Sequence, residues 1–271
     1  MVVIAHRIGD AVGQAVVDGP HARGVGIAQP RHLHRRRLVR KHWQTVVRRV
    51  SRQINQDVHP ILVNLNVNGR PVRAVVQMGK MALAYVLDRT NGQPVFPIPD
   101  VPVTQTDVPT EWTAATQPIP SKPAAYSQQG LLESDLIDYT PEIKAAALKA
   151  AAQFQLGPLY TPPIVKDSNG KVGTLQLPGA GGGANWMGGS VDPETGMLYI
   201  PSTTSPYVSS LVPGGERSEM PYIAGGGLGN PTVMGLPLIK GPYGRITAIN
   251  LNTGDTAWMV PNGKPADNLV N

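Results

Sequence analysis

The sequence predicts an all-β fold, a partial β-propeller of several blades with one inserted helix, and three observations lead there. Thirty Gly and 27 Pro punctuate the 271 residues, which suits many short strands and turns better than long helices. Ile61-Leu62-Val63-Asn64-Leu65-Asn66-Val67 alternates apolar and polar toward its end, Asn68-Gly69 supplies positive φ angles, and Pro71 to Met78 returns as a second apolar run. That is the signature of a tight hairpin. The third observation is an element that occurs three times in one register: Leu87-Asp88-Arg89-Thr90-Asn91-Gly92, Val191-Asp192-Pro193-Glu194-Thr195-Gly196 and Ile249-Asn250-Leu251-Asn252-Thr253-Gly254. Its apolar residue ends a buried strand, its Asp or Asn side chain hydrogen-bonds the turn backbone, and its Gly takes the left-handed position from which the next strand returns. One such turn is an ordinary hairpin; three copies define a strand-turn-strand repeat of the kind that builds propeller blades.

The remaining elements follow in chain order. A third strand, Ala82 to Leu87, runs into the first repeat turn. Residues 97–123, rich in Pro, Thr and Gln, read as a long surface excursion anchored by Glu111 and Trp112. The helix comes next: Thr140 is the N-cap, Pro141 suits the first helical position, Glu142 favours the positive dipole end, and the Ala-rich run Ile143 to Gln155 continues until Gly157-Pro158. Strands are expected over 172–202 and 245–261, while the Gly, Pro and Ser content of 203–244 reads as loop packed over the blades. Aromatic residues trail each repeat Gly at a short interval, as Phe96, Tyr199 and Trp258.

Residues 1–57 are set apart from 58–271 by charge. Through residue 59 there are 11 Lys and Arg against three acids, whereas the rest of the chain is slightly acidic. The peak is Arg31-His32-Leu33-His34-Arg35-Arg36-Arg37-Leu38-Val39-Arg40-Lys41-His42, and all six His lie at this end. Three readings stay open for it: a basic, poorly ordered tail, a start of the reading frame that is not ancestral, and a nucleic-acid arm. The last has the least support, because no aromatic platform or base-reading motif accompanies the charge. Cys is absent, which excludes disulfides and thiolate metal sites. No 18-residue apolar run exists, and Met1 to Asp10 lacks the basic start and apolar core of a secretory signal, so the chain as written is expected to span no membrane and to stay in the cytoplasm.

The Gly-rich stretch Pro178-Gly179-Ala180-Gly181-Gly182-Gly183-Ala184-Asn185-Trp186 invites comparison with a phosphate loop. Such loops need a helix N-terminus to hold the phosphate, and Met187-Gly188-Gly189 with Pro193 forbids a helix here. His32 and His34 sit in an Arg-rich run whose charge repels cations, so no metal site is expected there. Beyond His59 there is no His, which excludes a Ser-His-acid arrangement in the folded part.

Several further runs carry a family resemblance. Leu175-Gln176-Leu177-Pro178-Gly179, Gly182-Gly183-Ala184-Asn185-Trp186 and Asp192 to Tyr199 resemble the quinoprotein glucose dehydrogenases, which depend on pyrroloquinoline quinone (PQQ). So do Tyr85 to Arg89, Glu111-Trp112-Thr113 with Thr116-Gln117-Pro118, Leu136 to Pro141, and Pro242 to Ile249. The resemblance covers roughly 58–271 and implies part of an eight-bladed propeller that oxidises a sugar, polyol or alcohol, passes electrons to a quinone acceptor, binds PQQ and Ca²⁺ near its axis, and works at the periplasmic face of the inner membrane. At about 40–50 residues per blade the chain falls short of eight blades, so partner chains would be needed to complete the ring.

The resemblance also implies site residues. Lys80 matches the family lysine that contacts the quinone oxygens, while residue type alone makes it a solvated surface lysine. Asn185 and Trp186 match a pair near the cofactor, the amide as a polar contact and the indole as an apolar wall; core packing is an equal alternative for Trp186. The family's His-His-Asp segment, whose carboxylate takes the alcohol proton, has no counterpart. Here Gln44-Thr45-Val46 and Val47-Arg48-Arg49 precede the first hairpin, and Asp57 is the sole acid between residues 19 and 87. No catalytic base and no metal ligand are therefore assigned.

Overall fold

The computed structural model describes residues 58–263. The expected separation at residue 57 and the expected poor packing of Val2, Leu33 and Trp43 fall outside them. Strand β1 (Ile61–Val67) turns through Asn68 and Gly69, at φ 51° and 77°, into β2 (Arg70–Met78), and β3 (Ala84–Asp88) follows. Both positive φ values are those of the Asn-Gly hairpin turn. The third strand starts two residues later than expected because Ala82, at φ 61°, belongs to the turn. Leu87 bridges Pro94 and the Val95 N–H donates to Val86 O at 2.9 Å, so Pro94 to Phe96 adds a short fourth edge to this antiparallel sheet.

The excursion over 97–123 is pinned as a ribbon of β4 (Asp100–Pro102) and β5 (Thr116–Pro118). Its anchors differ from those expected. Trp112 is 62% exposed, and the ribbon is held instead by Ile119 against Leu83 and Tyr85 and by the Tyr85 hydroxyl donating to Pro118 O at 3.0 Å. Helix α1 (Pro141–Ala151) is capped as expected, with Thr140 Oγ1 accepting from the Ile143 N–H at 3.2 Å. It stops before Gln155, because Phe154 and Gln155 form β6 and pair in parallel with a later strand.

The chain continues through β7 (Ile164–Val165), β8 (Gly173–Gln176), β9 (Ser190–Asp192), β10 (Met197–Thr203), β11 (Tyr207–Pro213), β12 (Tyr222–Leu228), β13 (Thr232–Val233), β14 (Leu236–Pro237), β15 (Gly244–Asn250) and β16 (Asp255–Pro261). The order β9-β10-β15-β16 makes one four-stranded antiparallel sheet. It packs on β1-β2-β3 through one core that includes Val63, Leu65, Val76, Val86, Leu198, Ile200 and Ile249. These two sheets are the propeller blades.

Residues 203–244 correct the loop expectation. Strands β11 and β12 pair antiparallel, and β11 also pairs with β8, giving a sheet ordered β12-β11-β8-β6 whose core closes under α1 at Ala147 and Ala151. The glycines that suggested loop are used in a strand. Tyr207 lies against Gly227 and Ser210 against Gly225, approaches that a Cβ would block. Among the described residues no helix is long and apolar enough to cross a membrane.

All three repeat turns have the same hydrogen bonds. Asp88, Asp192 and Asn250 accept through Oδ1 from the N–H two residues on, at 2.8, 3.0 and 3.0 Å. Their carbonyls accept from Gly92, Gly196 and Gly254 at 2.7, 2.9 and 2.7 Å, and the three glycines sit at φ 78°, 73° and 75°. Asn252 joins the copies: its Nδ2 donates to Thr195 O and its Oδ1 accepts from the Asn66 N–H, both at 2.8 Å.

Gly254→Ala is expected to destabilise the fold by about 2–4 kcal/mol, because it combines left-handed strain with overpacking. Its Cβ would stand 2.9 Å from Lys122 Cβ and 3.0 Å from Phe96 Cζ. Gly69→Ala, with nothing within 4 Å, should cost about 1 kcal/mol from backbone strain alone. Urea unfolding of both variants measures the difference. The Asp192 carboxyl is held below its ordinary value by the Thr195 hydroxyl and the Glu194 N–H. Its native pKa lies under the unfolded one, so its contribution is complete above about pH 4 and is lost as pH falls through the native value. Asp192→Asn, which keeps the Oδ1 acceptor as Asn250 does in the third turn, should flatten the acid limb of stability below about pH 4 in a pH series of melts.

Candidate functional site

The site sits where the β2–β3 turn meets the Gly-rich loop between β8 and β9. The turn is closed by the Gly79 N–H donating to Leu83 O at 2.9 Å and the Ala82 N–H donating to Gly79 O at 3.0 Å, which leaves Lys80 at its tip, half-buried. The loop arrives with the Gly183 N–H donating to Lys80 O at 2.8 Å and is fixed beyond by the Thr203 N–H donating to Gly183 O at 2.8 Å. Position 182 must lack a side chain: a Cβ there would stand 2.6 Å from Lys80 Cγ and 2.8 Å from its Cα. Gly182 is at φ 78° as well, so both shape and backbone require glycine.

Asn185 and Trp186 follow within three residues of that contact. Asn185 organises the loop around itself, with Nδ2 donating to Gly181 O at 3.0 Å, Oδ1 accepting from the Trp186 N–H at 2.8 Å, and its carbonyl accepting from the Gly188 N–H at 2.8 Å. Trp186 is 74% exposed and Met187 80%, which overturns the core-packing alternative for the indole. The structure thus gathers Lys80 and the Asn185-Trp186 loop in one place, a juxtaposition that 105 intervening residues hide in the sequence.

Residues that sequence reasoning passed over hold this junction. Tyr126 is fully buried; its hydroxyl donates to Gly79 O at 2.5 Å and its N–H to Ala82 O at 3.0 Å, while its carbonyl accepts from Thr247 Oγ1 at 2.9 Å. Burial pushes its phenol pKa well up, which keeps it a donor at neutral pH. Gln129 Nε2 donates to Met81 O at 2.5 Å, and Ser127, buried with an unpartnered Oγ, lies against Gly183 and Ala82. No motif announces Ser-Lys-Pro-Ala-Ala-Tyr-Ser-Gln-Gln, since it has neither strand nor helix period. Tyr160, in the neighbouring segment, has its pKa pushed up to about 12 by burial.

Lys80 and the Asn185-Trp186 loop suit a planar, anionic quinone: the turn that carries the lysine is bonded by main chain to the loop that carries the indole, and the indole is uncovered and able to lie against an aromatic ring. Calcium is not matched in the same way. Among the described residues no group of three His, Cys, Asp or Glu could hold a metal ion, and Asn185 Oδ1 is already engaged by the Trp186 N–H. Asp57 and the Gln44 to Arg49 segment lie outside the described residues.

Packed antiparallel sheets whose strands are joined by Asx-Gly turns are what a β-propeller is built from. The family model for the glucose/ethanol/alcohol dehydrogenase β-propeller domain, headed PQQ, matches residues 40–271, and the chain belongs to that family. It is 31% identical over 232 residues to a probable quinate dehydrogenase (quinone) of Xanthomonas campestris pv. juglandis, covering 78% of this chain and 28% of that protein. The quinoprotein glucose dehydrogenase of Escherichia coli K12 is 29% identical over 233 residues, with the same coverage. For the glycerol dehydrogenase large subunit of Gluconobacter oxydans the figures are 26% over 224 residues, 72% of this chain and 30% of that one. The chain thus spans under a third of the length of these relatives.

Gly182→Ala is expected to force the two loops apart and to lower stability by about 2–5 kcal/mol, combining left-handed strain with overpacking against backbone. Gly181→Ala, with open space at its Cβ, should cost under about 1 kcal/mol. Chemical denaturation of the pair checks the difference.

Proposed function

We propose that this chain supplies one wall of a PQQ pocket for the oxidation of a sugar, polyol or alcohol, with electrons passed on to a quinone, at the periplasm-facing location its family implies. The observation that carries the reading is the backbone contact of Gly182 and Gly183 with the Lys80 turn, which sets the ammonium-bearing side chain beside the Asn185-Trp186 loop. PQQ, when bound, is the hydride acceptor. Lys80 would hold the quinone oxygens and offset the negative charge that grows on them, Trp186 would cover one face of the ring, and Asn185 would shape the loop that presents the indole. No step is derived through calcium, because the described donor set does not fit it.

Removal of the substrate hydroxyl proton needs a carboxylate within hydrogen-bond reach. In the sequence, Arg49 occupies the position at which the resemblance expects it. A cation there repels the proton it would have to accept, and loss of a general base lowers rates by about 10² to 10⁴. A second reading, a non-catalytic propeller-fragment binding protein completed by partner chains, is favoured by β16, whose seven residues are all exposed, including Trp258, Met259 and Val260 on a sheet edge.

PQQ titrated into the purified chain should quench tryptophan fluorescence saturably. Lys80→Ala should weaken binding about 10- to 100-fold, the value of a charge-assisted contact. Turnover of glucose, glycerol or quinate with an artificial electron acceptor should stay near background. Saturable binding unaffected by Lys80→Ala and Trp186→Ala would place the cofactor elsewhere, and rapid turnover would show that another group serves as base.

A further inference from the structure

Three carbonyls of the turn that carries Lys80 accept hydrogen bonds from one short segment, Tyr126 to Gln129. Gly79 O accepts from the Tyr126 hydroxyl, Ala82 O from the Tyr126 N–H, and Met81 O from Gln129 Nε2. The segment is in turn fastened to the second blade, since Tyr126 O accepts from Thr247 Oγ1 of β15 and, at 3.4 Å, from Ser202 Oγ of β10. Gly79 O keeps a second donor, the Ala82 N–H, so the turn closes on itself without Tyr126. What the phenol adds is the orientation of the closed turn relative to the neighbouring blade and therefore to the Gly183 contact.

We propose that Tyr126 is a positioning residue for Lys80: its buried hydroxyl clamps the Gly79–Ala82 turn to the second blade and so sets the lysine against the Asn185-Trp186 loop. The inference rests on the reading of Lys80 as a PQQ contact. Tyr126 touches no cofactor; it acts through the backbone of the turn. A buried phenol suits the task because it is a rigid donor with two side-chain torsions, and desolvation favours its neutral form.

Tyr85 provides a matched control. It too is a buried phenol with a single hydroxyl bond to a carbonyl, but its partner is Pro118 O of the surface ribbon rather than a carbonyl of the lysine turn. The experiment measures PQQ affinity by fluorescence quenching, and unfolding by urea, for the full chain and for Tyr126→Phe, Tyr85→Phe, Lys80→Ala and Tyr126→Phe/Lys80→Ala. Tyr126→Phe should weaken PQQ binding about three- to tenfold, the range of one net hydrogen bond. Tyr85→Phe should leave binding within about twofold at a comparable loss of stability. In the Lys80→Ala background Tyr126→Phe should cause no further loss, because the two residues then act as one unit.

Equal effects of the two Phe variants, or additive losses in the double variant, would reduce Tyr126 to a general structural role and overturn the proposal. If the unsubstituted chain fails to bind PQQ, or Lys80→Ala binds normally, the cofactor reading fails and takes this inference with it. That outcome differs from one in which Lys80 matters and Tyr126 does not.

Discussion

The approach of two backbones, with no side chain between them, is the constraint on which the site depends. Gly182 and Gly183 lie against Lys80, Ala82 and Ser127 so closely that any Cβ at 182 would overlap the lysine's own backbone and stem. Because the contact is made by main chain, it fixes position more tightly than a contact between flexible side chains would. Its closing bond, from the Gly183 N–H to Lys80 O, also satisfies two peptide groups that are being buried. The glycines are thus neither a nucleotide loop nor a flexible linker. They are the means by which a loop from one part of the chain is brought against a turn from another.

The same logic of satisfied polar groups ties the blades together. Interblade packing is apolar in the middle, around Val76, Val86, Leu198 and Ile200, and polar at two outlying points. At one, the Asn252 side chain bonds Thr195 O and the Asn66 N–H; at the other, Tyr126 and Thr247 link the first blade's turn to the second blade. Apolar burial supplies most of the driving force but is indifferent to small sliding, whereas directional bonds with partners near 2.8 Å fix register. Arg245, like Ser127, is not fully satisfied: it is buried, its Nε lacks a partner, and its other nitrogens are held by Thr204 Oγ1, Pro242 O and the Met259 sulfur. Burial lowers its pKa, which is the cost of holding a guanidinium among neutral partners.

On the proposed PQQ reading, the site is shared between blades and is one-sided. Lys80 comes from the first blade, Asn185 and Trp186 from the approach to the second, and the indole is left largely uncovered. The chain spans under a third of its relatives' length.

Local chemistry was legible from the residues alone. The Asn-Gly hairpin, the Thr140 helix cap and the three Asx-Gly turns each depend on contacts within a few residues, and each formed as read, down to matching φ values near 75° at the three glycines, while the helix end, set by the pairing of Phe154 and Gln155, did not. Lys80, Asn185 and Trp186 were named by resemblance, but nothing local could say that their turn and loop meet, because the approach is carried by the main chain of Lys80 and Gly183, far apart in sequence. Residues 203–244 were misread for the same reason. Composition reports that glycine favours loops, whereas Gly225 and Gly227 serve to let Ser210 and Tyr207 pack closely across two strands. Trp112 was mistaken for an anchor because size suggests burial, and only the tertiary structure decides which large residue finds a core. Tyr126 carries no periodic or motif signal at all; its role exists only once Gly79, Ala82 and Thr247 have been folded around it. Short-range hydrogen-bond geometry is encoded where it acts, while long-range backbone contact is a property of the whole packed chain.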